Sequence, residues 1–138
     1  MRMMYKLALA ATVALPHMGA PAMAWRASSG LEVFALSDGT VEVLSRAGSA
    51  TTDFWCAIGD YAVRQARVPT KDRVYLVAPM GPSATRSNYK SVRFGFTKPA
   101  NADTGQSYSL SIKRVGENLS VGMARQYCFG NYRRDRFF

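Results

Sequence analysis

The sequence predicts an α+β domain in which a small, mostly antiparallel sheet packs against one main helix. Three observations support this fold class: a hairpin signal in residues 31–45, a helical pattern in residues 51–67, and alternating apolar segments after them. A hairpin followed by a helix and then three or four strands is typical of an α+β fold. An all-β barrel with a side helix is the alternative that the same segments allow.

The hairpin is predicted in the segment LEVFALSDGTVEVLS, because Asp38-Gly39 is a favoured two-residue turn with φ > 0 at the glycine. Pairing outward from this turn gives two cross-strand pairs on the buried face, Leu36 with Val41 and Phe34 with Val43. Ala35 and Glu42 are then expected on the opposite face of the sheet.

One amphipathic helix is predicted from about residue 51, and Pro69 follows its end. Its N-cap is expected among Ser49, Thr51 and Thr52. The charged positions fall on one exposed stripe: Asp53, Asp60, Arg64 and Arg67. The opposite, buried stripe consists of Trp55, Ile58 and Ala62. Cys56 is expected between the two stripes, and Gly59 indicates close packing in the middle of the helix.

The rest of the chain is predicted to form strands joined by exposed loops. RVYLVAP (73–79) has the apolar composition of a central strand. YKSVRFGF (89–96) alternates, with Val92, Phe94 and Phe96 inward and Ser91, Arg93 and Gly95 outward. SYSLSIKRV (107–115) alternates through Tyr108, Leu110 and Ile112. For residues 119–128 we favour a strand to about Met123 and then a helical turn carrying Cys128, although Val121, Ala124 and Cys128 also fit one helical face.

The first 24 residues are predicted to be a signal peptide. Arg2 and Lys6 precede the apolar run 7–15, and Ala22 and Ala24 are the small residues expected at a cleavage site. The run is shorter than the roughly 20 apolar residues that a membrane-spanning helix needs. We therefore expect an exported protein, periplasmic or extracellular, that contains a single domain over residues 25–138.

Reactive side chains are few in the expected mature chain. His17, the only histidine, lies within the predicted signal peptide, so Cys–His and Ser–His catalytic arrangements are excluded. The nine acidic residues show no recognised catalytic spacing, and no S-x-x-K motif is present. The sequence therefore favours a non-enzymatic role without a cofactor or a bound metal, and a hydrolase using paired carboxylates is less favoured.

Cys56 and Cys128 are predicted to form a disulfide bond. They are the only two cysteines, and the oxidising compartment of an exported protein favours their pairing. Closing a loop of this length stabilises a domain by about 4 kcal/mol. The alternative is a reactive thiol at Cys56, near a helix N-terminus, but the mature chain contains no imidazole base to activate it.

Positive charge is the main functional signal. The chain has 18 Lys and Arg residues against 9 Asp and Glu, and 16 of the 18 remain without Arg2 and Lys6. Arginine binds phosphate and carboxylate groups, and tyrosine stacks on rings and sugars. Candidate anion-binding residues occur in two groups, first Arg86, Tyr89, Lys90 and Arg93, and then Tyr132, Arg133, Arg134 and Arg136 in a basic tail from about residue 131.

We therefore predict an exported binding module for an anionic partner, such as an envelope polymer or lipid head groups. Nucleic acid has no support beyond the charge itself. The alternative is a secreted protein-binding or inhibitor domain that acts on another exported protein.

The segments DFWCAIGDYA and YCFG resemble those of small exported bacterial proteins of unassigned function. The resemblance covers the helix around Cys56 and the segment around Cys128. It implies a domain linked by one disulfide and implies no activity.

Overall fold

The computed structural model describes residues 23–130, which form a six-stranded antiparallel sheet and two helices. The strands are β1 (Trp25–Arg26), β2 (Glu32–Ala35), β3 (Val41–Leu44), β4 (Arg73–Pro82), β5 (Lys90–Gly95) and β6 (Asn118–Ser120). The helices are α1 (Thr51–Arg64) and α2 (Val121–Gly130). The strand order is β1-β2-β3-β5-β4-β6, and the sheet is open. The predicted α+β class is confirmed, and the barrel alternative is wrong because β1 and β6 are separate edges.

Two predicted segments lie outside the described residues. They are the signal peptide, apart from its last two residues, and the basic tail from about residue 131. Within residues 23–130, no helix is long and apolar enough to cross a membrane.

The predicted hairpin is present as β2 and β3, but its register differs by one residue. The observed pairs are Val33 with Val43, Phe34 with Glu42, and Ala35 with Val41. The predicted pairs of Leu36 with Val41 and Phe34 with Val43 are therefore wrong. Because a shift of one residue moves a side chain to the other face, Phe34 shares its face with Glu42.

A three-residue loop, 37–39, explains the register. The Asp38 carboxylate accepts hydrogen bonds from the Thr40 backbone N–H at 2.9 Å and from its hydroxyl at 2.6 Å. The Leu36 N–H donates to the Thr40 carbonyl at 2.9 Å. The loop between these two residues therefore contains three residues, one more than predicted. Gly39 has the expected positive φ, +85°, but at the last position of a three-residue loop.

Helix α1 begins with Ala50 as its N-cap, so the predicted hydroxyl caps are wrong. The Asp53 carboxylate accepts the Ala50 N–H at 2.8 Å and performs the capping from the third helical position. The predicted core stripe of Trp55, Ile58 and Ala62 is fully buried. Trp55 contacts Phe94 of β5 edge to face, with ring centroids 5.0 Å apart. The helix is thereby fixed on the sheet.

Helix α2 starts at Val121, so the predicted strand ends at Ser120, as β6, and not at Met123, whereas the predicted helical turn that carries Cys128 is part of α2. Its buried residues are Val121, Ala124 and Cys128, the helical face that the sequence also allowed. This face packs on α1 at Gly59, where a Cβ atom would lie 2.4 Å from the Arg125 nitrogen. The close packing predicted from Gly59 is therefore present, and it is a contact between two helix backbones.

Packing of α2 also buries two residues of α1 that were predicted to be partly or fully exposed. Cys56 is completely buried and forms the predicted disulfide with Cys128, with a Cα–Cα distance of 4.8 Å. Asp60 is 1 % exposed. Its carboxylate accepts hydrogen bonds from the Ser28 N–H, the Ser28 hydroxyl and Arg64 at 2.9, 2.7 and 3.2 Å. It therefore links the β1–β2 turn to the helix.

The strands predicted after α1 are only partly present in the structure. β4 and β5 are present, and Val92 and Phe94 are buried as predicted, whereas Ser91 and Gly95, on the opposite face of the sheet, are buried as well. The predicted strand 107–115 is absent, and residues 96–117 form one long loop. In this loop the Ser111 carbonyl accepts a hydrogen bond from the Trp55 indole N–H at 3.1 Å. A core side chain, not a neighbouring strand, thus satisfies that carbonyl.

Candidate functional site

The sheet has a second face that points away from the helices, termed here the outer face. Strand alternation places Val33, Val43 and Val92 in the core with α1, and their neighbours on the other side. The outer-face residues are Glu32, Phe34, Glu42, Leu44, Ser91 and Arg93. Phe34 and Leu44 are buried on this face as well. Part of the outer face is therefore covered by other parts of the chain.

The cover is the segment 83–86, which a single buried carboxylate holds in place. Glu42 is fully buried. Its oxygens accept hydrogen bonds from the Ala84 N–H at 2.7 Å and from three hydroxyls, those of Ser83, Thr85 and Ser91. Burial raises the pKa of Glu42, but these four bonds outweigh it and leave the pKa below its usual value. Glu42 is therefore an ionised structural anchor whose acceptor capacity is filled.

The anchored segment positions Arg86 over the outer face. Its guanidinium pairs with Glu32 at 2.5 Å, and lies 5.7 Å from the ring centre of Phe34 and 5.1 Å from that of Tyr89. Two aromatic rings and one carboxylate therefore restrict a side chain that is 38 % exposed. Arg26 reaches the same carboxylate from β1, at 3.6 Å.

These residues surround a cavity of about 200 Å³, termed the arginine pocket. It is lined by Arg26, Glu32, Leu44, Ser45, Arg46, Arg86 and Tyr89. Three guanidinium groups therefore face one carboxylate. Arg46 also donates to the Gly30 carbonyl at 3.3 Å, so it bridges the β1–β2 turn and the end of β3. Each guanidinium has five N–H donors, and these contacts use only some of them.

The structure brings together part of the predicted anion-binding group. Arg86 and Tyr89 line the arginine pocket, and Lys90 is exposed at the start of β5, where its carbonyl accepts the Ser45 N–H at 2.8 Å. Arg93 pairs with Glu42 in the sheet register. The pKa of Asp38 in the hairpin loop is lowered mainly by the hydrogen bonds from Thr40 and to a smaller extent by the charge of Arg93, so Arg93 lies toward that loop. The predicted tail residues lie outside the described residues: Tyr132, Arg133, Arg134 and Arg136.

Sequence reasoning missed Arg26, Arg46 and Glu32. They come from three separate segments, and only the pairing of β1, β2 and β3 places them beside Arg86. The alternation of side chains along a strand is one signal that could have indicated Glu32. Glu32 and Phe34 lie two residues apart on one strand, so their side chains must share a face of the sheet.

Metal binding has no support in residues 23–130, where no group of three or more His, Cys, Asp or Glu side chains could hold an ion. Comparison with known proteins gives no further guide, since no family model, curated protein or solved structure matches this chain. Any function must therefore be inferred from the geometry of the chain itself.

Proposed function

We propose that this protein is an exported, non-enzymatic binding module whose arginine pocket binds an anionic group of an envelope or extracellular polymer. The observation that carries the proposal is the convergence of Arg26, Arg46 and Arg86 on one small cavity that contains a single carboxylate, Glu32. An incoming phosphate, sulfate or carboxylate group would meet an excess of two positive charges there. Arginine is suited to this task because its planar donors match such groups bidentately.

The order of the side chains in the arginine pocket supports this role. Arg86 is restrained by Glu32, Phe34 and Tyr89, and its backbone follows the segment that Glu42 anchors. A side chain that is already ordered loses less conformational entropy when a ligand binds. Tyr89 is 46 % exposed and offers a ring surface beside the guanidinium. A sugar ring that carries the anionic group can stack on it.

The size of the cavity limits what enters it. A volume of about 200 Å³ accommodates a single charged unit and not a long chain. A polymer would place one anionic group in the pocket while its neighbours pass over the exposed Lys90 and the partly exposed Arg93. Export rests on the predicted signal peptide, and the Cys56–Cys128 disulfide is compatible with it.

Retention on heparin and on vesicles containing phosphatidylglycerol, measured across a salt series, tests this proposal. The pocket variant combines Arg46→Ala and Arg86→Ala, and the matched control combines Lys71→Ala and Lys98→Ala, two exposed lysines that do not line the cavity. Both variants lose two positive charges. The pocket variant should bind more weakly and with a shallower salt dependence, because fewer counterions are released.

Two outcomes would contradict the proposal. Equal losses in both variants would show that net charge alone causes retention, and no retention of the native protein at low salt would remove anion binding altogether. A third variant, with Arg133, Arg134 and Arg136 replaced by alanine, measures the separate contribution of the tail. Thermal unfolding of each variant checks folding, since partly exposed ion pairs such as Arg86–Glu32 contribute about 1 kcal/mol or less.

A further inference from the structure

A second cavity, of about 280 Å³, lies at the opposite edge of the sheet from the arginine pocket, beside β6. The long loop 96–117 forms one wall, and β4, β6 and α2 contribute the others. The side chains that matter here are Gln106, Tyr108, Glu117, Asn118, Arg73 and Tyr127, all of which line the cavity. None of them lines the arginine pocket, so this cavity is independent of the proposed function.

Glu117 is the residue that indicates a ligand. It is 5 % exposed, yet its hydrogen bonding within residues 23–130 is poor. The Ser107 hydroxyl lies 3.1 and 3.2 Å from its two oxygens, and Arg114 Nε lies 3.4 Å away. The Ser107 hydroxyl has only one hydrogen, and the Ser109 carbonyl is closer to it, at 2.7 Å. Among the described residues, Ser107 and Arg114 are therefore the side chains that donate to Glu117, and their contacts of 3.1–3.4 Å are fewer and longer than those of Glu42.

Glu42 shows what a purely structural carboxylate looks like in the same protein. Four donors saturate it, with the distances for Ala84, Ser83 and Ser91 at 2.7, 3.0 and 2.6 Å. A buried carboxylate without such donors is costly, because it has lost its hydration without gaining full replacement. Glu117 avoids this cost when a group with hydroxyl or N–H donors occupies the cavity that it faces.

The loop that forms the cavity wall is held by specific bonds. Arg114 donates to the Gly105 carbonyl at 2.8 Å, and Asn118 Nδ2 donates to the carbonyls of Thr104 and Gly116 at 3.1 and 2.8 Å. Gly116, with φ of +94°, packs so closely that a Cβ atom there would lie 2.3 Å from the Asp103 carbonyl oxygen. The loop is thus preformed, which lowers the entropic cost of binding.

From this geometry we propose that the cavity binds a neutral saccharide, with Glu117 accepting hydrogen bonds from its hydroxyl groups and Tyr108 stacking on the sugar ring. Tyr108 is fully exposed at the mouth of the cavity and presents its ring to solvent. The Gln106 amide, which supplies both donors and an acceptor, suits hydroxyl groups that also donate and accept.

The charges around the cavity favour a neutral ligand over a cation or an anion. A cation would be repelled by the guanidinium of Arg73, which lines the cavity, and by that of Arg114 beside Glu117. An anion would be repelled by the negative charge of the Glu117 carboxylate, and it would bring no hydrogen-bond donor to that group. A hydroxyl group carries no net charge, so the arginines do not repel it, and it donates a hydrogen bond to the Glu117 carboxylate.

The test is a titration of the full mature chain with neutral trisaccharides of glucose, N-acetylglucosamine, galactose and mannose, followed by amide NMR shifts and calorimetry. Spermidine and trigalacturonic acid are the cationic and anionic probes. At least one neutral trisaccharide should bind saturably and shift the amides of residues 104–110 and 117–119. Glu117→Gln should weaken that binding about ten- to hundredfold, the effect of one lost hydrogen bond to a charged group.

Tyr108→Ala should weaken trisaccharide binding about two- to tenfold, because the stacking contact is lost, and Tyr108→Phe should retain most of the affinity. The matched control is Phe129→Ala, which removes an exposed aromatic ring that lines neither this cavity nor the arginine pocket and should leave saccharide binding unchanged. Since Tyr108 is fully exposed, its substitution leaves folding intact even if Glu117→Gln does not fold. The proposal is overturned if no neutral trisaccharide binds, if a charged probe alone binds, or if the Tyr108→Ala and Phe129→Ala variants behave alike.

Discussion

Replacing Glu42 with glutamine tests whether one buried carboxylate holds the cover of the outer face in place. Four donors point at its two oxygens, and glutamine retains one acceptor oxygen for them. The Ser83 hydroxyl already accepts the Thr85 and Arg86 N–H groups, but the Thr85 hydroxyl can rotate and accept from the new amide, so part of the network is rebuilt. Hydrogen bonds to charged groups contribute about 1.5–3 kcal/mol each, and with this partial compensation we expect a loss of about 2–4 kcal/mol.

The loss should also depend on pH in a defined direction. The pKa of Glu42 in the folded protein lies below its usual value of 4.5. The folded state therefore binds this proton less readily than the unfolded state, so the stabilisation is complete above about pH 4.5 and declines as the pH falls through the folded-state pKa. Glutamine lacks the titrating group. The difference in unfolding free energy between native protein and variant should therefore shrink in acid.

Urea unfolding followed by tryptophan fluorescence, from pH 7 to pH 3, measures both effects. Glu32→Gln is the matched control, since Glu32 is a partly exposed carboxylate with arginine partners and should cost about 1 kcal/mol or less. Each kcal/mol lost lowers the Tm by about 4–8 °C in a domain of this size. The reasoning fails if Glu42→Gln costs no more than Glu32→Gln, or if its cost is the same at every pH.

Three further predictions concern the scaffold. Cys56→Ser should lose about 2–5 kcal/mol in denaturant unfolding, and mass spectrometry of the non-reduced native chain should find no free thiol; two free thiols would contradict the disulfide. Gly59→Ala should destabilise by about 1–3 kcal/mol, because the added Cβ meets the Arg125 backbone at 2.4 Å, although alanine favours helix by about 1 kcal/mol; a gain in Tm would show that the helices are not in backbone contact. Gly39→Val should cost about 1–2 kcal/mol from its φ of +85° alone, as no atom lies within 4 Å of the new Cβ, whereas Gly39→Asn should cost less; equal costs would contradict the loop conformation.

Local signals in the sequence predicted those parts of the fold that local chemistry determines. Asp38-Gly39 marks a turn, the stripe of Trp55, Ile58 and Ala62 marks a buried helix face, and two cysteines in a predicted exported chain mark a disulfide. The hairpin register was wrong because the side chain of Asp38 accepts the Thr40 N–H and lengthens the loop, which a dipeptide signal does not express.

Long-range packing explains the remaining errors in the fold. Residues 107–115 alternate like a strand but lie in a loop, where the Trp55 indole N–H donates a hydrogen bond to the Ser111 carbonyl. Asp60 looks like a surface residue in a helical projection, yet α2 and the Ser28 turn bury it. In each case a partner distant in sequence decides the outcome, and no local pattern contains that information.

The candidate sites also combine residues that local sequence signals indicate with residues that only long-range contacts bring together. Arg86 and Tyr89 are close in sequence, so their basic and aromatic side chains form a local signal, while Arg26 and Arg46 join them only through strand pairing. Glu117 is one of nine acidic residues, and no pattern in the sequence distinguishes it from the others. Its importance depends on a count of hydrogen-bond donors around a buried carboxylate, and such a count needs coordinates.

Amide NMR mapping with a sulfated trisaccharide tests the central proposal, anion binding at the arginine pocket, most directly. We predict saturable shifts confined to the residues around the pocket (26–32, 44–46 and 86–90), which weaken as salt is added and disappear when Arg46 and Arg86 are both replaced by alanine. Shifts spread over all basic surfaces, or shifts that persist in the double variant, would contradict a specific anion site at the arginine pocket.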